Sequence, residues 1–350
     1  MSADDGRTAD AGEVFLAARE PGGQLWGQAG WDGEWIVEPA FRFLCRFASN
    51  GLAVARSLDG LFGFVDRAGA WAVEPQFRNA GSFSENGLAV AETPDGAGFV
   101  DSSGAWAVEP RYLEARPFSP RGLAPARETA DSMTPPWGVI DVTGAWAVKP
   151  QFLDLSFHYD SRGLALARDT ESGLAGLVTE RGDWTVPPEF ADLGQFSEAG
   201  VVPARAESGL WGAIGPAGAW AVKPAFAGLR PFSASGLAGA GDPTGPWGVI
   251  GLDGRWAVLP KFSNVGGAFS GPFEGGGLAP AASRDGLWGF IDTEGRWALE
   301  PVFPAVYPFF GSPLTAAMDR EGAWGIIDGR RGWTVRPKFG EVTMFPPAGY

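Results

Sequence analysis

Short apolar runs alternate with turn residues along this chain, and the runs recur in a fixed order. Residues 51–75 show the pattern: GLAVAR (Gly51–Arg56), FGFVD (Phe62–Asp66) and WAVEP (Trp71–Pro75). Runs of this length bounded by Gly, Asp and Pro predict β-strands, termed A, B and C here in chain order. Run B is apolar at consecutive positions, as in Phe64 with Val65 and Phe290 with Ile291. A strand apolar on both faces is buried on both faces, so each unit is expected to pack between neighbours.

Aligning on the glycine near the start of run B gives nine units, spaced 35 to 41 residues apart. The glycines are Gly27, Gly63, Gly98, Gly138, Gly176, Gly212, Gly248, Gly289 and Gly325. A tryptophan opens run C every time: Trp35, Trp71, Trp106, Trp146, Trp184, Trp220, Trp256, Trp297 and Trp333. Proline follows that tryptophan by four residues and an aromatic follows the proline by two, from Pro39 and Phe41 to Pro337 and Phe339. The residue before the glycine is looser: tryptophan in six units, beginning with Trp26, and Phe62, Ala97 or Ala175 in the others. The units start near Val14, Leu52, Leu88, Leu123, Leu164, Val201, Leu237, Leu278 and Leu314, and form one domain over residues 13–350 behind a disordered tail at 1–12.

Between runs B and C lies a turn such as Asp66–Gly69, with Asp first and a left-handed glycine last. Closing the hairpin there with a bulge sets Asp66 opposite Ala70, Val65 opposite Trp71 and Gly63 opposite Val73. The bare glycine then leaves room for the indole. Proline should end strand C or confine it to an edge.

The stretch at 288–303, WGFIDTEGRWALEPVF, carries a Trp-Gly pair, an Ile-Asp, a turn glycine and a Pro-x-Phe. On these residues the chain resembles the bacterial WG-repeat family, from about Glu13 to Tyr350. Departures are Ala97 and Ala175 at the first tryptophan, and Thr179, Gly215 and Gly251 at the aspartate. The resemblance implies a β-rich repeat scaffold for protein interactions and carries over no catalytic residues. The predicted fold is all-β: nine three-stranded antiparallel meanders of about 36 residues in tandem. An open, twisted stack is favoured over a closed, propeller-like ring. Nine units exceed the usual propeller range, the unit leaves little room for a fourth strand, and no strand is left over at one terminus to complete a sheet at the other.

Composition narrows the function. The chain has 350 residues, 45% hydrophobic and 19% charged, with 53 Gly and 29 Pro, which fits a turn-rich globular protein. A net charge of −14 argues against nucleic acid as a partner. No apolar run is long enough to span a bilayer, and the N-terminal residues lack the features of a signal peptide. One cysteine, Cys45, forms no internal disulfide, and the expected location is a reducing cytoplasm. With one histidine, His158, and that one cysteine, the supply of residues for metal or nucleophilic chemistry is poor, so no catalytic residue, metal or cofactor is expected.

Two tryptophans per unit, with nearby carboxylates such as Asp292 and Glu300, would suit sugar stacking, but their recurrence favours packing. The tryptophans and glycines of the repeat are therefore assigned to structure. Candidates for partner contact are departures from the repeat: Met133 and Phe269 in two lengthened loops, and the extra aromatics Trp31, Phe43, Phe157, Tyr307 and Phe310. The slot before the proline, occupied by Glu38, Glu74, Glu109, Lys149, Pro187, Lys223, Leu259, Glu300 and Arg336, varies freely and should face solvent. The leading function is a non-catalytic scaffold that binds another protein. The alternative is a carbohydrate or cell-envelope binder that uses exposed aromatics.

Overall fold

A computed structural model describes residues 16–128, 134–156, 162–267, 269–270, 277–330 and 332–344. Every regular element among them is a β-strand. The A, B and C strands of the second unit are Ala53–Arg56, Phe62–Val65 and Trp71–Phe77, paired antiparallel in that order. The expected tail at 1–12 and the first unit's start at Val14 lie outside the described residues.

Each sheet has a fourth strand that the sequence reading did not provide for. Immediately after strand C the chain enters a short link strand, Asn79–Ala80 in the second unit, which pairs with the A strand of the next unit. Two residues suffice, so a unit of about 36 residues does have room. In the fourth unit strand C and the link are one continuous strand, Trp146–Leu155, which pairs with Trp137–Ile140 on one side and Leu164–Asp169 on the other. Among the described residues no sheet curls into a barrel.

The link strand also decides how the array ends. The last link, Glu341–Met344, pairs antiparallel with the first A strand, Leu16–Arg19, in the register Leu16 with Met344 through Arg19 with Glu341. The C-terminal unit thus completes the first sheet. Of the two arrangements weighed from the sequence, these contacts form the ring. The register argument for an open stack overlooked a strand too short to leave a hydrophobic signature.

The core repeats with the same closure. Nine buried clusters lie between successive units, and one of them joins Leu16, Ala18 and Ala29 of the first unit to Ala316, Ile326 and Phe339 of the last. At every junction the aromatic ending strand C meets the tryptophan opening the next unit's strand C edge-to-face. Phe41–Trp71 lies at 5.4 Å, Phe190–Trp220 at 5.4 Å and Tyr112–Trp146 at 5.8 Å. The closing pair, Trp35–Phe339, at 5.5 Å and 76°, is geometrically one of the set. Such pairs contribute roughly 0.5–1.5 kcal/mol each beyond the area they bury.

The B–C hairpin departs from expectation by one residue. Asp66 and Ala70 are bonded through N–H to C=O at 2.9 Å, and Val65 pairs with Trp71, as expected. Beyond that a bulge shifts Val73 to face Phe64, and a wider one over residues 74–76 carries Pro75 before Phe62 meets Phe77. Strand C therefore runs through its proline, which sits where no ladder donor is needed on an edge strand. The wide bulge folds backbone over Gly63: a Cβ there would lie 2.5 Å from the Val73 carbonyl oxygen and 3.0 Å from the Pro75 nitrogen. At Gly138 a Cβ would meet the Val148 carbonyl oxygen at 2.6 Å and the Trp146 indole at 2.7 Å. Close backbone, with the indole second, is why the position is glycine.

Candidate docking groove between the first two units

The tryptophans of strand C are not fully buried. Seven are half-buried, and Trp220 and Trp333 are 36% and 37% exposed. Their role is edge packing between units, not filling of the deep core. The tryptophans before the glycine are half-buried except Trp137, which is 3% exposed. Several lie under arginines: Arg19 is 5.6 Å from the Trp26 ring centroid, Arg230 is 5.0 Å from Trp247, and Arg116 and Arg127 lie at 4.0 and 4.8 Å from Trp137. Cation–π stacking occupies faces that a sugar would need.

The partner candidates separate clearly. Phe269 is 4% exposed and sits in the core between the seventh and eighth units, so it is packing and not a contact residue. Trp31, Tyr307 and Phe310 all pack half-buried on the cluster that joins the last unit to the first. The Tyr307 hydroxyl donates to the Val342 carbonyl at 3.1 Å, and burial pushes its pKa up. Phe310 holds φ at 46°, the one non-glycine residue with positive φ among those described. These three off-repeat aromatics thus mark the ring's join. Phe43 is exposed at 41%, edge-on to Phe62. Met133, Phe157 and His158 lie outside the described residues.

Turn aspartates are structural in geometry. Asp66 Oδ1 accepts from the Ala68 and Ala70 backbone N–H groups at 2.9 and 3.0 Å. The Asp101 carboxyl is held below its ordinary range by the Ser103 hydroxyl, then by the Ser103 backbone N–H; Asp141 is lowered likewise by the Thr143 hydroxyl. Among the described residues no three His, Cys, Asp or Glu gather as a metal-binding group, and no helix is long and apolar enough to cross a membrane.

Surface variety lies along strand C, whose second, fourth and sixth residues point outward in every unit. The fourth position is the slot before the proline, and all nine of its occupants are exposed, Leu259 at 72%. The sixth position matters at the junctions. Arg111 there donates to the Gly144 carbonyl of the next unit and lies 5.1 Å from the Tyr112 ring centroid. Lys261 donates to the Gly295 carbonyl at 2.9 Å and lies 5.1 Å from Phe262; Lys338 pairs with Glu34 at 3.4 Å and lies 5.5 Å from Phe339. In the first unit this residue is Ala40.

A groove of about 600 Å³ opens at that junction. Ala40 and Phe41 line one side; Gly69, Trp71, Glu74 and Pro75 of the second unit line the other. The A–B loop of the second unit forms a wall, with Leu58 and Leu61 at 56% and 38% exposure beside Asp59. The loop is tied internally: Ser57 N–H donates to the Leu61 carbonyl at 2.8 Å and Arg56 Nε to the Gly60 carbonyl at 2.9 Å. The groove is mixed in character, with Leu58 and Leu61 beside the Asp59 and Glu74 carboxylates, and the sequence reading missed it. Its signals were an alanine, Ala40, at the sixth position together with two leucines in the adjoining loop.

A closed array of β-sheet units with their repeated aromatics engaged at the junctions defines a β-repeat protein. A family model described as the WG containing repeat matches residues 62–93, 98–129 and 288–316, beginning at or beside the B-strand glycine in the second, third and eighth units. Three of the nine units thus match the WG containing repeat. No curated protein matches it in sequence. The crystal structure of a eukaryotic initiation factor superposes with a TM-score of 0.59 at 10% identity, covering 95% of this chain and 96% of that one. At that identity the likeness concerns the fold alone. The dihydro-heme d1 dehydrogenase NirN, solved with DHE, gives 0.47 at 12% identity over 99% of this chain and 78% of that one. A computationally designed protein, Ika8, gives 0.42 at 13% identity over 90% and 99%.

Proposed function

We propose that this chain is a non-catalytic scaffold that binds another protein through the outer surface of its repeats. The observation that carries the reading is the division of labour along strand C. Its invariant aromatics are engaged between units, while its outward positions vary in charge and size and include Leu259, 72% exposed. Exposed apolar residues beside variable charge suit protein contact, in which buried aliphatic anchors give affinity and flanking charges give specificity. The net charge of −14 favours a partner with a basic surface, and a cytoplasmic location accords with the single cysteine. The test is affinity capture from the native cell with the intact protein and with Leu58→Glu and Leu259→Glu variants. The reading expects specific protein partners that one of these variants loses while its far-UV circular dichroism melt is unchanged. The alternative, carbohydrate binding, rests on the partly exposed indoles of Trp220 and Trp333. A glycan array that responds, with protein capture empty, would replace the first reading with the second.

A further inference from the structure

The open groove is a vacancy in a pattern that the molecule itself fills elsewhere. At three junctions a cation from the sixth position of strand C lies over the aromatic beside it and reaches the next unit's turn: Arg111 to Gly144, Lys261 to Gly295, and Lys338 to Glu34. The corresponding turn residue at the first junction is Gly69, and it lines the groove together with Phe41, the corresponding aromatic. Ala40 supplies no side chain to span them. Glu74 and Asp59 make the charged part of the lining acidic, and Leu58 and Leu61 flank it with apolar surface.

We propose that this groove receives a lysine or arginine side chain from a protein partner, seated where Arg111, Lys261 and Lys338 sit at their own junctions. The incoming cation faces the turn backbone at Gly69 and the Glu74 and Asp59 carboxylates, and apolar residues on either side of it cover Leu58 and Leu61. Charge-assisted hydrogen bonds and cation–aromatic contact both require the charge, not merely the length, of the side chain. The junction after the sixth unit shows the contrast. Its sixth position is also alanine, Ala225, but Leu259 stands where Glu74 stands, and the adjoining loop is Asp242–Pro246 without the two leucines. That junction lacks the combination of apolar wall and facing slot carboxylate.

This inference rests on the protein-docking reading and is tested apart from it. The probes are the peptide Ac-Ser-Leu-Arg-Leu-Ser-amide and its citrulline counterpart, which keeps the shape and loses the charge. Binding to the full chain is followed by methyl shifts of Leu58 and Leu61. The arginine peptide is expected to bind roughly tenfold tighter than the citrulline peptide. Glu74→Gln should narrow that gap. Ala40→Arg should fill the slot from within and abolish binding of the arginine peptide without lowering the melting temperature, whereas Ala225→Arg should leave it unchanged. Absence of binding, or binding of the arginine peptide to Ala40→Arg as to the wild type, overturns the proposal. Equal affinity for the two peptides, lost in Ala40→Arg, overturns the cation while leaving the groove a protein-docking surface. Failure of the docking reading itself is seen independently, as empty affinity capture.

Discussion

Replacing Trp220 distinguishes a packing role from a ligand platform, because this indole is among the most exposed of its series yet lies 5.4 Å from Phe190, edge-to-face at 80°. A tryptophan buries up to about 250 Å², so 36% exposure leaves about 150 Å² covered, worth at most about 4 kcal/mol. Compactness of the unfolded chain reduces this, and Trp220→Ala is expected to cost about 2–3 kcal/mol. Phe190, 3% exposed, should cost about 3–5 kcal/mol as Phe190→Ala. The double-mutant cycle should return a coupling of about 1 kcal/mol, the value of an aromatic pair. Urea unfolding followed by far-UV circular dichroism supplies all four numbers. A loss below about 0.5 kcal/mol for Trp220→Ala, typical of a free surface residue, together with zero coupling, would refute the packing role.

Three further outcomes follow from the same geometry. Phe339→Ala at the join, where Phe339 is 1% exposed, should destabilise as much as Phe190→Ala in the same urea assay; a near-neutral result would mean the join is not packed. Gly138→Ala should lower the melting temperature more than Gly215→Ala, since a Cβ at 138 meets backbone at 2.6 Å and one at 215, which is not at positive φ, meets only the Ala219 carbonyl oxygen at 3.9 Å; equal shifts would contradict the bulge argument. The lowered carboxyls of Asp101 and Asp141 stabilise the fold above their ordinary pKa of 3.8, and this contribution is lost as pH falls through their depressed values. Urea midpoints should therefore show the wild type ahead of an Asp101→Asn, Asp141→Asn double variant at pH 7, with the gap narrowing below pH 3.8; a constant gap would remove the ionised carboxylates as its cause.

Much of this fold could be read from residue spacing because each unit repeats the same local rules. The turn glycines, exemplified by Gly69 with φ 78°, the Asp66 turn and the A, B and C strands all follow from local chemistry that recurs at every copy. Two features escaped for a common physical reason. The link strand at Asn79–Ala80 is two residues long and polar in part, so no periodicity marks it, and its partner lies in the next unit. The bulge over residues 74–76 shifts register through backbone geometry, which side-chain patterning does not encode. The candidate contacts suffered from the opposite problem. Phe269, Trp31, Tyr307 and Phe310 depart from the repeat, but departure arises equally where a junction needs extra packing, as at the join. The groove was hidden because it depends on a missing side chain at Ala40, visible only when Arg111, Lys261 and Lys338 are seen crossing their own junctions.

The ring underlies every junction argument, and the unmodified protein offers a direct test of it. Lys338 and Glu34 stand 304 residues apart in sequence and 3.4 Å apart in space. A carbodiimide joins a carboxylate to an amine only when they touch, and the chain's four lysines leave few products to distinguish. Peptide mass spectrometry of the monomer band should identify a Glu34–Lys338 amide. Failure to form that link within monomers, under conditions that yield other lysine–carboxylate amides, would contradict the closed array.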